Sequence, residues 1–221
     1  MIEVSYVIPA FNEEERIRKT LEAVRDISVN AEIIVIDDGS SDQTAAIANQ
    51  IADTVISYSQ NRGKGFALTQ GWEIAKGTYI VCLDADLGET AKEAVALLEP
   101  VRDGNADVTT SIIKPGKKAG TGFVKRRVQA LVYHKTGVRL EAPLSGQRVF
   151  HRKWLPVLLK RSYTGFGIET QMTIDLLQSG AIYLEVPTTM QHREMGRDVK
   201  GFFHRLKQWF DIERQLRGVQ S

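Results

Sequence analysis

A chain of 221 residues with 43% hydrophobic and 25% charged side chains can bury one sizeable core, which excludes a disordered or fibrous protein. Its 29 basic and 27 acidic residues nearly cancel to a net charge of +2, which by itself argues neither for nor against nucleic acid; no nucleic-acid partner is expected. A single cysteine, Cys82, excludes an intrachain disulfide, and no apolar run reaches the length of a membrane span. The amino terminus runs directly into a strand with no basic leader or cleavage site, and a cytoplasmic location is the expectation.

Residues 2–8 read as a first strand, ended by Pro9. Asn12 stands where a cap belongs for a helix over 13–27 with acids in its first turn. A second buried strand covers 32–36 and leads through Asp37-Asp38-Gly39-Ser40-Ser41-Asp42 to a helix over 43–52. The third strand, 54–58, is followed by the loop Asn61-Arg62-Gly63-Lys64-Gly65 and a helix over 66–75. A central strand over 78–83 runs into Asp84-Ala85-Asp86-Leu87-Gly88; then come a helix over 91–102 and a fifth strand at 107–113. Such alternation with short connections predicts an α/β fold with a mostly parallel central sheet and helices on both faces. Ligands bind beyond the carboxyl ends of strands in such sheets, and the loops at 9–13, 37–42, 61–65 and 84–88 all fall on that edge.

The second half is less regular. A basic loop, Pro115-Gly116-Lys117-Lys118-Ala119-Gly120-Thr121-Gly122, precedes a helix over 123–136. A short strand at 149–151, a helical turn at 154–159, a helix from 166 capped by Gly180 and a last strand at 181–186 before Pro187 follow. From 114 to 127 there are six Lys/Arg and no acid, a surface suited to an anionic ligand or a lipid head group. Residues 198–217 place Phe202, Phe203, Leu206, Trp209 and Phe210 at helical spacing opposite a basic face.

The chemistry centres on Asp84 and Asp86. Side chains alternate faces in a strand, so two acids one residue apart share a side and repel unless a cation or donor network lies between them. Mg²⁺ commonly takes one or two carboxylates plus phosphate oxygens. The plain alternative is a loop with two solvated acids. Likewise Pro9 is explained as a strand stop, Asn12 as a cap and Gly39 as a turn residue, but those readings leave unexplained why all of them fall on one edge.

Together, Val7-Ile8-Pro9-Ala10-Phe11-Asn12-Glu13-Glu14, Ile36-Asp37-Asp38-Gly39, Asn61-Arg62-Gly63-Lys64-Gly65 and Asp84-Ala85-Asp86 resemble the nucleotide-sugar glycosyltransferases of the GT-A fold, in particular family 2. The resemblance implies a metal-dependent hexosyltransferase using Mg²⁺ or Mn²⁺ and a nucleotide diphosphate sugar, with UDP-glucose or a similar donor foremost. By it, Pro9, Ala10, Asn12 and Glu13 line the nucleoside pocket, Asp38 reaches base or ribose, and Lys64 meets base or phosphate. Asp84, with Ala85 beside it, lies near ribose and metal waters, and Asp86 binds the metal. A dinucleotide-binding fold is disfavoured because no Gly-x-Gly-x-x-Gly follows the first strand. A nucleotidyltransferase is the alternative of another class, opposed by Pro-Ala-Phe-Asn-Glu where a Gly-rich loop would stand.

Pro143-Leu144-Ser145-Gly146-Gln147, Gly165-Phe166-Gly167-Ile168-Glu169 and Gln191-His192-Arg193 resemble the matching stretches of glucosyl-3-phosphoglycerate synthases. This second resemblance implies that His192 completes the metal site beside Asp86, that Ser145 and Gly146 line the substrate, and that Glu169 meets donor sugar or acceptor hydroxyls. Gly120, Thr121 and Gly122 would hold the acceptor phosphate. It also implies one catalytic domain over 1–197, with a nucleotide-sugar half at 1–113 and an acceptor half at 114–197, followed by an amphipathic helix at 198–221. The rival within the fold is a polyprenyl-phosphate sugar synthase, similar at Asp84-Ala85-Asp86-Leu87 and Ser145-Gly146-x-Arg148, although Gly88 stands where the mannosyl enzymes carry a metal-binding Gln. In that case the acceptor is a lipid and the tail helix meets the inner membrane face; otherwise the helix packs on the domain or in a homodimer.

Overall fold

Alternation along β1 (Val4–Ala10) divides the core into two layers. Tyr6, Ile8 and Ala10 join one apolar cluster; Val7 joins the other. The computed structural model describes residues 2–113, 123–161, 163 and 167–191. On the first face lie α1 (Ile17–Ile27), α2 (Thr44–Ala48) and α4 (Ala94–Arg102); α1 buries Ile17, Leu21 and Val24 at helical spacing. On the second lie α3 (Lys64–Ile74), α6 (Leu155–Leu158) and α7 (Ile168–Gln178), packed around Trp72, whose ring meets Phe150 and Tyr163 edge-on at 6.1 and 6.0 Å. A satellite cluster packs Val128, Leu131 and Val132 of α5 (Phe123–Thr136) on Ile174 of α7.

The remaining strands are β2 (Ala31–Asp37), β3 (Thr54–Ser57), β4 (Tyr79–Cys82), β5 (Val108–Ile113), β6 (Arg148–His151) and β7 (Tyr183–Thr188), in the order β3-β2-β1-β4-β6-β5-β7. β1 pairs in parallel with β2 and β4, and β5 with β7; β6 is antiparallel to both its neighbours. The sheet is therefore mixed and mostly parallel, with helices on both faces, the predicted architecture. Among the described residues no helix is long and apolar enough to cross a membrane.

Several local expectations are corrected. Pro9 does not end the first strand: it pairs in register with Ile36 of β2. Val7 O, on the β4 side of β1, accepts from Leu83 N, whereas Ala10 O, on the β2 side, accepts from Asp38 N. By that alternation Pro9 faces the β4 side, past the end of the ladder, where no strand asks for its missing N–H. Asn12 does not cap α1, which starts at Ile17 with no acid in its first turn and no side-chain cap. The helix expected over 91–102 begins as a 3₁₀ turn, Gly88–Glu93. β7 continues through Pro187, as an edge strand permits. Gly180 closes α7 as foreseen, at φ +88°, with its N–H on Leu177 O.

Candidate active site

β4 stops at Cys82, but its alternation carries on in burial. Leu83, Ala85 and Leu87 sink into the first-face core, and Asp84 and Asp86 stay half-buried between them. The two acids thus share a side, as their spacing predicts. Thr20, on α1, pins this turn: its hydroxyl donates to Ala85 O and accepts from Gly88 N, each at 2.8 Å. The Arg16 guanidinium holds Asp86 O at 3.1 Å. Thr20 carries no sequence signal of this duty, because a helical threonine reads as an ordinary turn of helix.

Lys64 is the hub. Predicted in a loop, it instead opens α3, and its Nζ lies 2.6 Å from Asp84 Oδ1 and 2.9 Å from Glu169 Oε1. One cation joins an acid at the end of β4 to an acid in the first turn of α7, more than a hundred residues apart in sequence for the latter. Burial works against the lysine charge, but the Asp84 and Glu169 carboxylates outweigh it and raise its pKa well above the usual amine range. Gln147, outside the predicted site, donates from Nε2 to Asp84 Oδ2 at 2.9 Å. Gly146 lies against the pair: a Cβ there would stand 2.5 Å from Lys64 Nζ and about 3 Å from both Asp84 oxygens.

The side of the site toward β1 and β2 is built from loops that hold one another. The buried Asp38 carboxylate accepts from Arg62 N at 2.8 Å and Gly63 N at 2.7 Å, so it anchors the turn that delivers Lys64. Gly39, at φ +81°, lets that turn close, since a Cβ would meet Gln60 C at 2.7 Å. Asn12, at φ +55°, donates its N–H to Ser40 Oγ and accepts from Ser41 N at Oδ1, tying the β1 loop to the β2 loop. Glu13 N donates to Thr44 Oγ1. Pro9 is half-exposed on this edge. The Ala10 and Ala85 side chains belong to the core, so only their backbones could face a ligand; Ala10 O and Ala85 O already accept bonds from Asp38 N and Thr20 Oγ1. Ser145 sits beside Gly146 with its Oγ buried and, among the described residues, without a hydrogen-bond partner.

Gly120, Thr121, Gly122, His192 and the tail over 198–221 lie outside the described residues. No group of three or more His, Cys, Asp or Glu side chains poised for a metal occurs among the described residues. The donor set nevertheless fits a hard divalent ion held by one or two carboxylates and completed by ligand phosphate oxygens, with Asp86 and Asp84 supplying the protein oxygens. A separate cleft of about 630 Å³ opens on the outer side of α3, lined by Arg62, Phe66, Gln70, Lys160 and Tyr163. The carboxylates are not among its lining residues, and the Arg62 guanidinium lies 3.5 Å over the Phe66 ring.

Comparison with known proteins agrees with this geometry. Residues 5–159 match the family model described as Glycosyl transferase family 2. The chain is 31% identical over 202 residues to glycosyltransferase AglJ of Haloferax volcanii, covering 88% of this chain and 65% of that protein. It is 27% identical to an undecaprenyl-phosphate 4-deoxy-4-formamido-L-arabinose transferase of Shewanella sediminis, covering 95% of this chain and again 65% of the relative. The chain thus spans just under two thirds of the length of these two relatives. Among solved structures, glucosyl-3-phosphoglycerate synthase of Mycobacterium tuberculosis with phosphoglyceric acid superposes at a TM-score of 0.74 with 27% identity, over 92% of this chain and 76% of the synthase. The same enzyme with Mn²⁺, UDP-glucose and phosphoglyceric acid superposes at 0.73 with 26% identity. The acids at the end of β4, the lysine that opens α3 and the family match lead to one conclusion: the chain belongs to glycosyl transferase family 2 and has the GT-A fold.

Proposed function

We propose that this glycosyltransferase moves a hexosyl group from a nucleotide diphosphate sugar, foremost UDP-glucose, to a phosphorylated acceptor of the phosphoglycerate type. The observation that carries the reading is Lys64 held between Asp84 and Glu169 at the carboxyl edge of the parallel strands, where such sheets bind ligands. The Mycobacterium tuberculosis synthase that shares the fold was crystallised with UDP-glucose and phosphoglyceric acid.

In this reading the nucleoside lies along Pro9, the Ala10 backbone, Asn12, Glu13 and Asp38. The diphosphate reaches the Lys64 turn, and the hexose lies toward Ser145, Gly146 and Glu169. Asp86 and His192 would hold Mg²⁺ or Mn²⁺, with Asp84 toward the ribose and the metal waters. The bound ion supplies countercharge for the diphosphate leaving group. Gly146 lets the sugar approach without a side chain in its path, and Glu169 accepts hydrogen bonds from sugar or acceptor hydroxyls. An acceptor oxygen attacks the anomeric carbon as the bond to the diphosphate oxygen breaks and the nucleoside diphosphate leaves. If that oxygen belongs to a phosphate or carboxylate, no general base is needed. Residues 1–113 form the donor half and 114–197 the acceptor half, with Gly120, Thr121 and Gly122 at the acceptor phosphate.

A second reading, a polyprenyl phosphate acceptor at the membrane face, is favoured by the undecaprenyl-phosphate relative and by Ser145-Gly146-x-Arg148. The test is nucleoside diphosphate release from UDP-glucose with Mg²⁺ or Mn²⁺, with 3-phosphoglycerate or a short polyprenyl phosphate offered in parallel. Release with 3-phosphoglycerate is expected; release with the lipid alone moves the acceptor to the membrane. Near-normal metal-dependent transfer by Asp86→Ala would overturn the mechanism.

A further inference from the structure

Arg148 begins β6, and its side chain is almost wholly buried, at 1% exposure. Among the described residues no carboxylate pairs with it, and its Nε and Nη1 are buried without a hydrogen-bond partner. Burying a guanidinium in this state is costly, and such a charge is retained where it does something an apolar residue cannot. Its single bonded nitrogen, Nη2, donates to Ser145 O at 2.7 Å and more loosely to Glu169 O at 3.4 Å. The Glu169 carbonyl is also taken by Thr173 Oγ1 at 2.7 Å.

These two carbonyls belong to segments that both reach the lysine hub. Ser145 precedes Gly146, where a Cβ would meet Lys64 Nζ and Asp84; Glu169 sends its carboxylate to the same Nζ. Arg148 thus fastens, from behind, the two backbone segments that close on Lys64 from the front. The charges also balance: Lys64 lies between two carboxylates, and Arg148 brings a second cation to the same group of residues. A methionine could fill the space but could neither hold both carbonyls nor supply the charge.

The geometry points to Arg148 as a positioning residue for glycosyl transfer, one that touches no substrate and acts by setting Gly146 and Glu169 against Lys64. Its kinetic consequence rests on the donor reading above; its structural consequence does not. The experiment compares the full-length chain with R148M, R148K, Glu169→Gln and the R148M/Glu169→Gln double variant. R148M is expected to fold with a Tm at or above that of the parent, since an apolar replacement for an unpaired buried charge is often neutral or stabilising. Amides over 143–147 and 168–171 should exchange with deuterium about tenfold faster in R148M, with those of β1 and α3 unchanged.

In turnover, kcat should fall about 100-fold, as a misplacement near 1 Å can cause. KM for UDP-glucose should stay within about threefold, because binding common to ground and transition state is untouched. R148K, with its charge but one contact fewer, should lie between. The double variant should lose less than the product of the two single losses, the non-additivity expected if one residue acts partly through the other. Unchanged exchange in both segments, parallel movement of KM and kcat, or additive losses would each overturn the inference. Should R148M not fold, R148K carries the same readouts. Should the parent chain turn over no nucleotide sugar, the donor reading fails and the exchange measurement decides the role of Arg148 alone.

Discussion

Lys64 Nζ stands 2.6 Å from Asp84 Oδ1, so the first acid of the Asp-x-Asp pair is not simply offered to a metal but is already engaged by a cation. Glu169, 2.9 Å from the same nitrogen, makes the lysine common to both halves of the chain. Loss of Lys64 therefore frees two acids at once. Lys64→Met should lower transfer by about two to three orders of magnitude, the scale of one preorganised electrostatic contact. The raised pKa adds a second expectation: protonated Lys64 persists as pH rises, so the rate–pH profile should show no lysine-dependent decline up to about pH 10. Initial rates across that range in the parent chain are the check.

Gly146→Ala should separate activity from stability. The added carbon would come within 2.5 Å of Lys64 Nζ, the far end of a flexible side chain, so the fold can yield by moving the lysine. Tm should shift little, and kcat should fall about tenfold or more as the Lys64–Asp84 geometry opens. Parallel melting and turnover curves decide it; a large loss of Tm with a normal rate in the folded fraction would contradict it.

Asp38→Ala should act on both. Two backbone amides, of Arg62 and Gly63, lose a charged acceptor, at a cost of about 2–3 kcal/mol. Because that turn delivers Lys64, affinity for UDP should fall as well. Asp38→Asn should repair only part, since an amide nitrogen cannot accept from an N–H. Urea denaturation together with calorimetric titration of UDP in Mn²⁺ measures the two effects.

Gly71→Ala tests packing alone. Its Cβ would lie 2.3 Å from Val7 Cγ1, where α3 crosses β1. Overpacking should destabilise by about 1–3 kcal/mol, against a helix-propensity gain of up to about 1 kcal/mol. Equilibrium urea unfolding gives the difference, and a Gly71→Ala/Val7→Ala double variant should recover part of it.

Cys82 should be inert. Burial pushes its thiol up to about 11, only partly offset by the Trp72 Nε1–H that reaches Sγ at 3.4 Å. Thiolate would form only as pH rises through that value, so at pH 8 a disulfide reagent should leave the native chain unmodified and titrate one thiol in denaturant.

The first half was readable because its signals are local. Asp84 and Asp86 emerge together since Leu83, Ala85 and Leu87 take the core side, and that alternation is written in the sequence. Ala10 and Ala85 turn their side chains inward by the same pleat, which leaves only their backbones to face a ligand. Asn12 looked like a cap because a cap and a loop–loop clasp use the same side-chain chemistry. What sequence could not supply was the pairing of distant pieces. Gln147 reaches Asp84, Arg148 fastens Ser145 to Glu169, and Thr20 pins the acidic turn, each across a sheet order that no local pattern fixes. The clue to Arg148 was present, a charged residue opening a buried strand, but it gains meaning only once that strand is seen to lie between β4 and β5.

The reversed direction of β6 has a consequence for how such enzymes diversify. β5 leaves the sheet at Ile113, and β6 re-enters at Arg148 on the same edge, so the connection between them starts and ends on one side of the sheet, its returning end beside the lysine hub. A chain built this way can lengthen that connection or alter its charge while β1, β2 and β4 keep their register. Variety in one connection on a constant parallel platform is then a property of the topology, available before any single residue is selected.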